Sequence, residues 1–231
     1  MYKKAFYVFN KEQPINAIIR NYNETDFPDL IRIQQECFPP PYPEEALWTE
    51  EQLQNHVHLF SEGALCIEVA GELAGSMTTL LIDFDPKEPD HTWANITDNG
   101  YIQTHNPNGN TLYVVDIAVR PSFRSLGIGK WLMSSMYDLV IEKRLARLLG
   151  GGRMPHYHKY REHMSAEEYL DAVLDGTLKD PVITFLLRCG RTPVKVVQNY
   201  LDDEESCHYG ALMEWKNPFY NGITKTKEAL K

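Results

Sequence analysis

Apolar residues along the chain recur with the period of a strand in some segments and with the period of a helix in others. Strand patterns are predicted at 16–20, 64–69, 73–84, 111–119, 147–152, 192–200 and 208–215. Helical spacing, supported by capping residues, predicts helices at 24–38, 49–60, 130–145, 165–175 and 180–189. Because strands stand at both ends with helices between them, this order predicts a mixed α/β (α+β) single domain.

The segment TLYVVDIAV (111–119) is an almost continuous apolar run, which is typical of a central strand buried on both faces. Its only charged residue is Asp116. A carboxylate in such a strand needs a partner, and its pKa depends on that setting. Two roles for Asp116 remain open: a general base, or a structural acceptor bonded to a neighbouring loop.

A glycine-rich turn, VRPSFRSLGIGKWL (119–132), joins this strand to the next predicted helix. A Walker loop is excluded, because a single residue separates Gly127 from Gly129 and no hydroxyl follows Lys130. A dinucleotide fingerprint fits poorly, since Leu132 occupies the place of its third glycine. The pattern R-x-x-G-x-G from Arg124 to Gly129 remains. There the first N–H groups of a helix and glycines without a Cβ favour a pyrophosphate.

Composition and charge disfavour several further classes of protein. The formal net charge of -9 over 231 residues disfavours binding to nucleic acid. The scattered cysteines Cys37, Cys66, Cys189 and Cys207 predict no disulfide framework, and no apolar run approaches the length of a signal peptide or membrane span. A cytoplasmic protein is therefore expected. The histidines of HYHKYREH (156–163) lack a recognised ligand spacing, so no metal site is predicted.

The stretch DIAVRPSFRSLGIGKWLM (116–133) resembles the acetyl-CoA-binding signature of the GNAT superfamily of N-acetyltransferases. The order of predicted elements extends the resemblance over 14–217. It implies a GNAT-type acyl-CoA N-acyltransferase fold, with a central mixed, mostly antiparallel sheet flanked by helices. The domain would carry insertions at about 86–110 and 151–179, an N-terminal extension at 1–13 and a C-terminal tail at 218–231.

The resemblance is closest to GNAT domains that occur beside or fused to a carbon–nitrogen hydrolase (nitrilase-like) domain. The stretches that carry it are THNPNGNTLYVVDIAV, GGRMPHYHKY, MSAEEYL and NYLDDEESCHYGALMEW. A carbon–nitrogen hydrolase partner is therefore one expectation, and a homodimer is another that stays open.

The resemblance implies acetyl-CoA as co-substrate and direct transfer of its acetyl group to a small-molecule amine in a ternary complex. The backbone of Ile117, Ala118 and Val119 would hold the pantetheine arm. The pyrophosphate would be bound by Arg124, Ser125, Leu126, Gly127, Ile128, Gly129 and Lys130.

The catalytic half of the family pattern is less complete. In many members, a tyrosine that acts as the general acid lies four residues before the glycine that ends the penultimate helix. In this chain that position is Leu186. Tyr200 and Tyr209 are the predicted substitutes. The predicted acceptor-binding residues are Arg153, His156 and Tyr157. Because the usual acid is missing, an acetyl-CoA-binding sensor or scaffold with little turnover stays open as an alternative.

Overall fold

A computed structural model describes residues 2–40, 42, 47–87 and 89–221 of the chain. Its centre is an eight-stranded sheet with the strand order β1-β2-β3-β4-β5-β6-β8-β7. The strands are β1 (Lys3–Asn10), β2 (Gln13–Asn21), β3 (Ala64–Val69), β4 (Glu72–Ile82), β5 (Thr111–Val119), β6 (Arg147–Arg153), β7 (Thr192–Val197) and β8 (Gly210–Lys216).

Helices flank this sheet. They are α1 (Phe27–Cys37), α2 (Glu50–Phe60), α3 (Trp93–Thr97), α4 (Ile128–Glu142), α5 (Ala166–Leu174) and α6 (Pro181–Arg188). Helices α1 and α2 contact β4, α4 contacts β3 to β6, and α6 packs on β6. The predicted mixed α+β class and the mostly antiparallel sheet are confirmed.

The one parallel pairing of the sheet joins β5 to β6, and it is short. The two strands pair only from Thr111 to Tyr113 on β5, opposite Arg147 to Leu149 on β6. Both strands then continue, β5 as far as Val119 and β6 as far as Arg153, without pairing with each other. The sheet therefore opens into a cleft between two of its own central strands.

Local sequence chemistry explains most helix starts. The side chains of Thr49 and Ser165 accept hydrogen bonds from the backbone of the first turns of α2 and α5. Asp180 does the same for α6, where Pro181 occupies the first helical position. These are the N-terminal residues that the sequence pattern predicts, because each satisfies N–H groups that the helix itself leaves unpaired.

The structure differs from the sequence prediction in three places. Residues 3–10, in the segment predicted as an extension, form β1 and pair with β2 along their whole length. The polar segment 86–110, predicted as a surface excursion, contains helix α3 and the fully buried Ile102. Strand β7 ends at Val197 rather than at Tyr200, because Asn199 adopts a positive φ of 53° that no strand continues. Of the predicted tail, 222–231 lies outside the described residues.

Replacing Asp180 by alanine should destabilise the protein more than removal of an ordinary cap. Asp180 is fully buried. Its Oδ1 accepts from the N–H groups of Val182 and Ile183, and its Oδ2 from the hydroxyl of Tyr169 and the N–H of His156. Leaving these donors unpaired should lower the free energy of unfolding by about 2–4 kcal/mol. Chemical denaturation measures this loss.

Ser165→Ala is the matched control. Ser165 also caps a helix with its side chain, but it is exposed, so its loss should cost about 1 kcal/mol. Equal losses in the two variants would show that the buried network around Asp180 adds nothing beyond a cap.

Candidate active site

The cleft between β5 and β6 brings together side chains that are far apart in the sequence. Its walls come from α1, β5, β6, α6 and the loops around Trp48, Trp93 and Tyr200. The lining residues are Gln34, Phe38, Tyr42, Trp48, Trp93, Val114, Val115, Asp116, Ile117, Gly151, Gly152, Arg153, Val182, Leu186, Arg191, Tyr200 and Leu201.

Side chains that line the cleft form hydrogen bonds with backbone groups of β5 and β6. The indole N–H of Trp93 donates to the carbonyl of Val115 at 2.9 Å, and the guanidinium of Arg191 donates to the carbonyl of Gly150 at 3.2 Å. The N–H of Gly151 donates to the hydroxyl of Tyr200 at 3.2 Å. A buried peptide group needs such a partner, so the cleft is stable only with these residues in place.

Three consecutive glycines in β6 allow this close packing. A Cβ on Gly151 would lie 2.1 Å from Cζ of Tyr200, and one on Gly152 would lie 2.7 Å from a methyl carbon of Leu186. A Cβ on Gly150 would lie 2.9 Å from that of Val114. The glycine run at 150–152, which the sequence suggests only as the end of a strand, is the space into which Tyr200 and Leu186 fit.

Asp116 lies on β5 beyond the point where the strands separate. Its Oδ2 accepts a hydrogen bond of 2.7 Å from the amide of Gln34 on α1. Burial raises the pKa of the Asp116 carboxyl to about 7, although hydrogen bonds from Gln34 and the N–H of Ile117 limit the rise. A carboxyl that titrates near neutral pH in a cleft is suited to taking up and releasing a proton.

The glycine-rich turn leaves the first backbone N–H groups of α4 without a side-chain cap. Residues Pro121–Leu126 form a 3₁₀ segment, Gly127 follows with a positive φ of 69°, and α4 begins at Ile128. Helices α2, α5 and α6 have side-chain caps, whereas Gly127 has no side chain to occupy the first N–H groups of α4. A Cβ on Gly127 would meet no atom within 4 Å, so the approach to these N–H groups is open.

Arg124 from the turn and Cys37 from the end of α1 both bond the end of β5. The carbonyl of Val119 accepts from Nε of Arg124 and from Sγ of Cys37, each at 3.2 Å. Burial raises the pKa of the Cys37 thiol to about 11, so it remains protonated and donates. Arg124 and Lys130 are exposed beside the turn, and Ile128 and Gly129 are buried beneath it.

Arg153 reaches the cleft from the end of β6, but most of its hydrogen bonds go to the protein. Its guanidinium donates to both carboxylate oxygens of Asp203, at 2.7 and 2.8 Å, and to Glu205 at 2.9 Å. It also lies over the rings of Tyr42 and Phe38, at 5.1 and 5.9 Å. Arg153 therefore braces the loop that follows β7 against the aromatic wall.

The other predicted acceptor residues are not gathered in the cleft. His156 donates its N–H to Asp180, and Tyr157 is buried with its hydroxyl directed to the carbonyl of Met164. Tyr209 contacts the ring of Tyr157 edge-on at 5.7 Å, and both line a separate surface depression with Arg161. Of the predicted substitutes for the acid, Tyr200 alone lines the cleft with Asp116.

Comparison with known proteins identifies the family. A family model described as the Acetyltransferase (GNAT) family matches residues 27–154. The chain is 58% identical over 217 residues to the "Uncharacterized N-acetyltransferase YkwB" of Bacillus subtilis (strain 168), covering 94% of this chain and 96% of that protein. The chain belongs to the GNAT acetyltransferase family. The resemblance in the signature at 116–133 is thereby confirmed.

A second relative is the "Probable hydrolase YhcX" of the same organism, 42% identical over 204 residues. The match covers 88% of this acetyltransferase but only 39% of that longer protein.

Solved structures share the fold. The loading GNATL domain of CurA from Lyngbya majuscula matches with a TM-score of 0.75 at 19% identity, covering 87% of this chain and 98% of that one. The GphF GNAT-like decarboxylase, solved with isobutyryl-CoA, matches with a TM-score of 0.73 at 19% identity, covering 86% and 98%. At such identities the likeness extends to the fold alone.

Several residues of the cleft escape sequence reasoning. Gln34 is a buried polar residue on the apolar face of α1, and that break in the apolar pattern is a usable signal. Arg191 is fully buried and charged, yet it follows Gly190 in what the sequence presents as an ordinary helix end. Trp93 lies in a segment without periodicity, so nothing local points to the cleft.

Among the described residues, no helix combines the length and apolarity needed to cross a bilayer. The same part of the chain contains no group of three or more histidine, cysteine, aspartate or glutamate residues arranged to hold a metal ion.

Gly151→Ala should destabilise the protein by displacing Tyr200. The added methyl would overlap the phenol ring, and the ring is buried among residues that resist movement, so we expect a loss of about 1–3 kcal/mol. Chemical denaturation of a double-mutant cycle with Tyr200→Ala tests the cause. In the alanine background the Gly151→Ala change should cost less than about 0.5 kcal/mol. If Gly151→Ala lowered the free energy of unfolding equally with and without the Tyr200 ring, the destabilisation would not come from displacement of Tyr200.

Proposed function

We propose that this acetyltransferase transfers an acetyl group from acetyl-CoA to the amine of a small molecule, by direct attack within a ternary complex. The observation that carries the proposal is the position of Asp116. Its carboxyl, with a pKa raised to about 7, lines the cleft directly before Ile117, Ala118 and Val119. Asp116 would act there as the general base.

The reaction requires a base because an alkylamine is an ammonium ion at neutral pH, with a pKa near 10. The ammonium must lose a proton before its nitrogen can attack the thioester carbon. The Asp116 carboxylate would take that proton, and Gln34 holds the carboxylate in place at 2.7 Å. Because the pKa of the Asp116 carboxyl is about 7, the carboxyl can release this proton to solvent after the reaction.

The aromatic wall supports an amine as the acceptor. Phe38, Tyr42, Trp48 and Trp93 line the cleft around Asp116. Aromatic faces attract an ammonium ion, and their carbon edges favour an organic substituent attached to it. A carboxylate enclosed by aromatic rings therefore suits a small organic cation.

The residues of the turn fit the pyrophosphate of acetyl-CoA. The uncapped N–H groups at the start of α4 would bind its oxygens, and Arg124 and Lys130 would add positive charge beside them. The pantetheine arm would lie along Ile117 to Val119, on the edge of β5 that has no strand partner. When bound, acetyl-CoA supplies the activated thioester that the amine attacks.

A second function is favoured by one observation. Leu186, at the position where many family members carry a tyrosine, is buried and lines the cleft without a group that can donate a proton. An acetyl-CoA-binding sensor, or a scaffold for a carbon–nitrogen hydrolase, would need no such donor. The relative called a probable hydrolase, which the chain matches over part of its length, supports the scaffold form of this alternative.

Release of CoA thiol separates the two functions. Purified protein with acetyl-CoA is assayed with a thiol reagent against spermidine, cadaverine, tyramine, glucosamine and L-lysine. Amine-dependent thiol release, with the acetylated amine detected by mass spectrometry, would support the transferase. Stabilisation of the protein by acetyl-CoA without thiol release from any amine would favour the sensor or scaffold.

Asp116→Asn should lower kcat by at least about 100-fold, since a general base contributes roughly 10²–10⁴ to the rate. Wild-type activity should rise as the pH increases through about 7, because the carboxylate is the active form. The variant should lose this rise. A variant that keeps the wild-type pH profile would exclude Asp116 as the base.

Stability provides the folding control for this variant. Because the folded-state pKa is raised, protonated Asp116 favours the fold, and this contribution is lost as the pH rises from about 4 to about 7. The difference in unfolding free energy between wild type and Asp116→Asn should therefore shift in favour of the variant across that range. Denaturation at several pH values measures it.

Arg124→Ala and Lys130→Ala should each weaken acetyl-CoA binding about tenfold, equivalent to about 1.4 kcal/mol. Thermal shift with acetyl-CoA, ATP and NAD measures the preference and its loss. Lys143→Ala, at the opposite end of α4 and paired with Glu62, is the matched control and should bind like the wild type. Preferential stabilisation of the wild type by ATP would overturn the assignment of the turn to acetyl-CoA.

A further inference from the structure

A continuous chain of hydrogen bonds leads from Tyr200 in the cleft to His91, in the loop before α3. The N–H of Gly151 donates to the hydroxyl of Tyr200 at 3.2 Å, and this hydroxyl lies 2.7 Å from that of Tyr113. The hydroxyl of Tyr113 lies 2.8 Å from Nε2 of His91, whose Nδ1 lies 2.8 Å from the carbonyl of Pro89. The chain begins in the cleft and ends at a partly exposed imidazole.

The direction of every proton in this chain follows from its last member. The carbonyl of Pro89 can only accept, so the neutral imidazole of His91 carries its proton on Nδ1, and Nε2 is an acceptor. Tyr113 must then donate to His91, and Tyr200 must donate to Tyr113. The oxygen of Tyr200 accepts from Gly151 with one lone pair, which leaves the other lone pair for a donor in the cleft.

Burial keeps all three groups in the forms that this pattern requires. Burial raises the pKa of both Tyr113 and Tyr200, so their hydroxyls stay protonated. Burial also lowers the pKa of His91, so the imidazole is neutral at neutral pH and its Nε2 can accept a proton. The tyrosines are 0% and 3% exposed, so no water replaces a link.

The charged groups that face the chain do not break it. Asp90, next to His91, opposes the lowering of its pKa but is itself paired with Lys195 at 2.5 Å. Arg191 lies near both tyrosines and moderates the rise in their pKa, while its Nη2 donates to the carbonyls of Gly150 and Met213.

We propose that Tyr200, Tyr113 and His91 form a proton relay that takes a proton from the acceptor nitrogen during attack and returns it to the departing sulfur. This inference rests on the proposed transferase function. Tyr200 lines the cleft and would be a catalytic residue, with its hydroxyl in contact with the acceptor nitrogen and the thioester when both substrates are bound. Tyr113 and His91 act through it and are positioning residues.

In the proposed transfer the acceptor nitrogen loses two protons, one to Asp116 and one to the relay. Asp116 takes the first proton, from the ammonium ion, and the free amine forms a C–N bond to the thioester carbon. The nitrogen then loses its second proton to the oxygen of Tyr200, while the Tyr200 proton moves to Tyr113 and the Tyr113 proton to Nε2 of His91. Formation of the C–N bond moves the π electrons of the C=O bond to the carbonyl oxygen. When these electrons re-form the C=O bond, the C–S bond breaks and the sulfur keeps its electron pair. The same shifts in reverse return one proton to the sulfur, giving the amide, CoA thiol and neutral His91.

The relay provides the proton donor that is missing at Leu186. A tyrosine at that position would offer one hydroxyl as an acid, whereas Leu186 offers none. Tyr200 lies in the loop after β7 and lines the same cleft. Its hydroxyl is hydrogen-bonded to that of Tyr113, which can accept its proton.

The first test needs no acceptor. In protein labelled with ¹⁵N-histidine, NMR at neutral pH should show His91 as the Nδ1–H tautomer, assigned by the loss of its signals in His91→Asn. Tyr113→Phe removes the donor to Nε2 and should shift the Nε2 resonance. An Nε2–H tautomer in the wild type would reverse the proton order and overturn the relay.

The second test uses the amine of the panel that releases thiol fastest. Tyr113→Phe should lower kcat by about 100-fold with KM changed less than about threefold, because the ring and the cleft wall remain. The rate in mixtures of H₂O and D₂O should depend non-linearly on deuterium content in the wild type, as for several protons moving together, and linearly in the variant. If Tyr113→Phe fails to fold, His91→Asn provides the same comparison from the exposed end of the chain.

Tyr169→Phe is the matched control. It removes a buried tyrosine hydroxyl that donates to Asp180 at 2.8 Å, away from the cleft, and should keep wild-type kcat. A Tyr113→Phe protein with wild-type kcat would overturn the relay alone. Failure of the wild type to release thiol with any amine would overturn the transferase function together with the relay's catalytic role.

Discussion

The separation of β5 from β6 after three residue pairs is the constraint on which the site depends. Two parallel strands that separate after three residue pairs expose peptide groups in the middle of a sheet, where water is scarce. Trp93 and Tyr200 bond peptide groups of β5 and β6 beside the cleft, and Arg191 bonds the carbonyls of Gly150 on β6 and Met213 on β8. A gap that would otherwise close or collapse is held open, and the same three side chains become its walls.

Opening the sheet also determines the electrostatics of the cleft. Asp116 would be costly in the middle of a fully paired apolar strand, because a buried carboxylate loses its hydration. In the cleft it retains one strong donor, Gln34, and a pKa near neutrality instead of full ionisation. The burial that disfavours the carboxylate therefore also gives Asp116 a pKa at which it can exchange a proton at physiological pH.

Small residues and large residues have complementary roles around this gap. The glycines of β6 and Gly210 of β8 leave no Cβ on the strand surface, and Tyr200 lies in that space. On the opposite side, Arg153 ties the acidic loop at 202–205 to the rings of Tyr42 and Phe38. This side of the cleft therefore has an aromatic wall, and the carboxylates of Asp203 and Glu205 at its margin are already paired with the guanidinium of Arg153.

Local sequence determined the parts of this protein whose chemistry is complete within a few residues. The apolar strand at 111–119, the open turn from Arg124 to Lys130 and the capped starts of α2, α5 and α6 each follow from neighbouring side chains and backbone geometry. The resemblance to the GNAT family lies in the same stretch, and the family model and the Bacillus subtilis relative confirm the membership.

Tertiary structure decided the rest. Asn199 and Cys207 have positive φ angles, and these turn the segment after β7 back so that Tyr200 meets Gly151 and Tyr113. His91, Gln34 and Arg191 stand in segments whose local patterns describe a loop, a helix face and a helix end. They acquire roles only in the folded sheet, because hydrogen bonds between residues that are 22, 41 and 82 positions apart have no signature in either local segment.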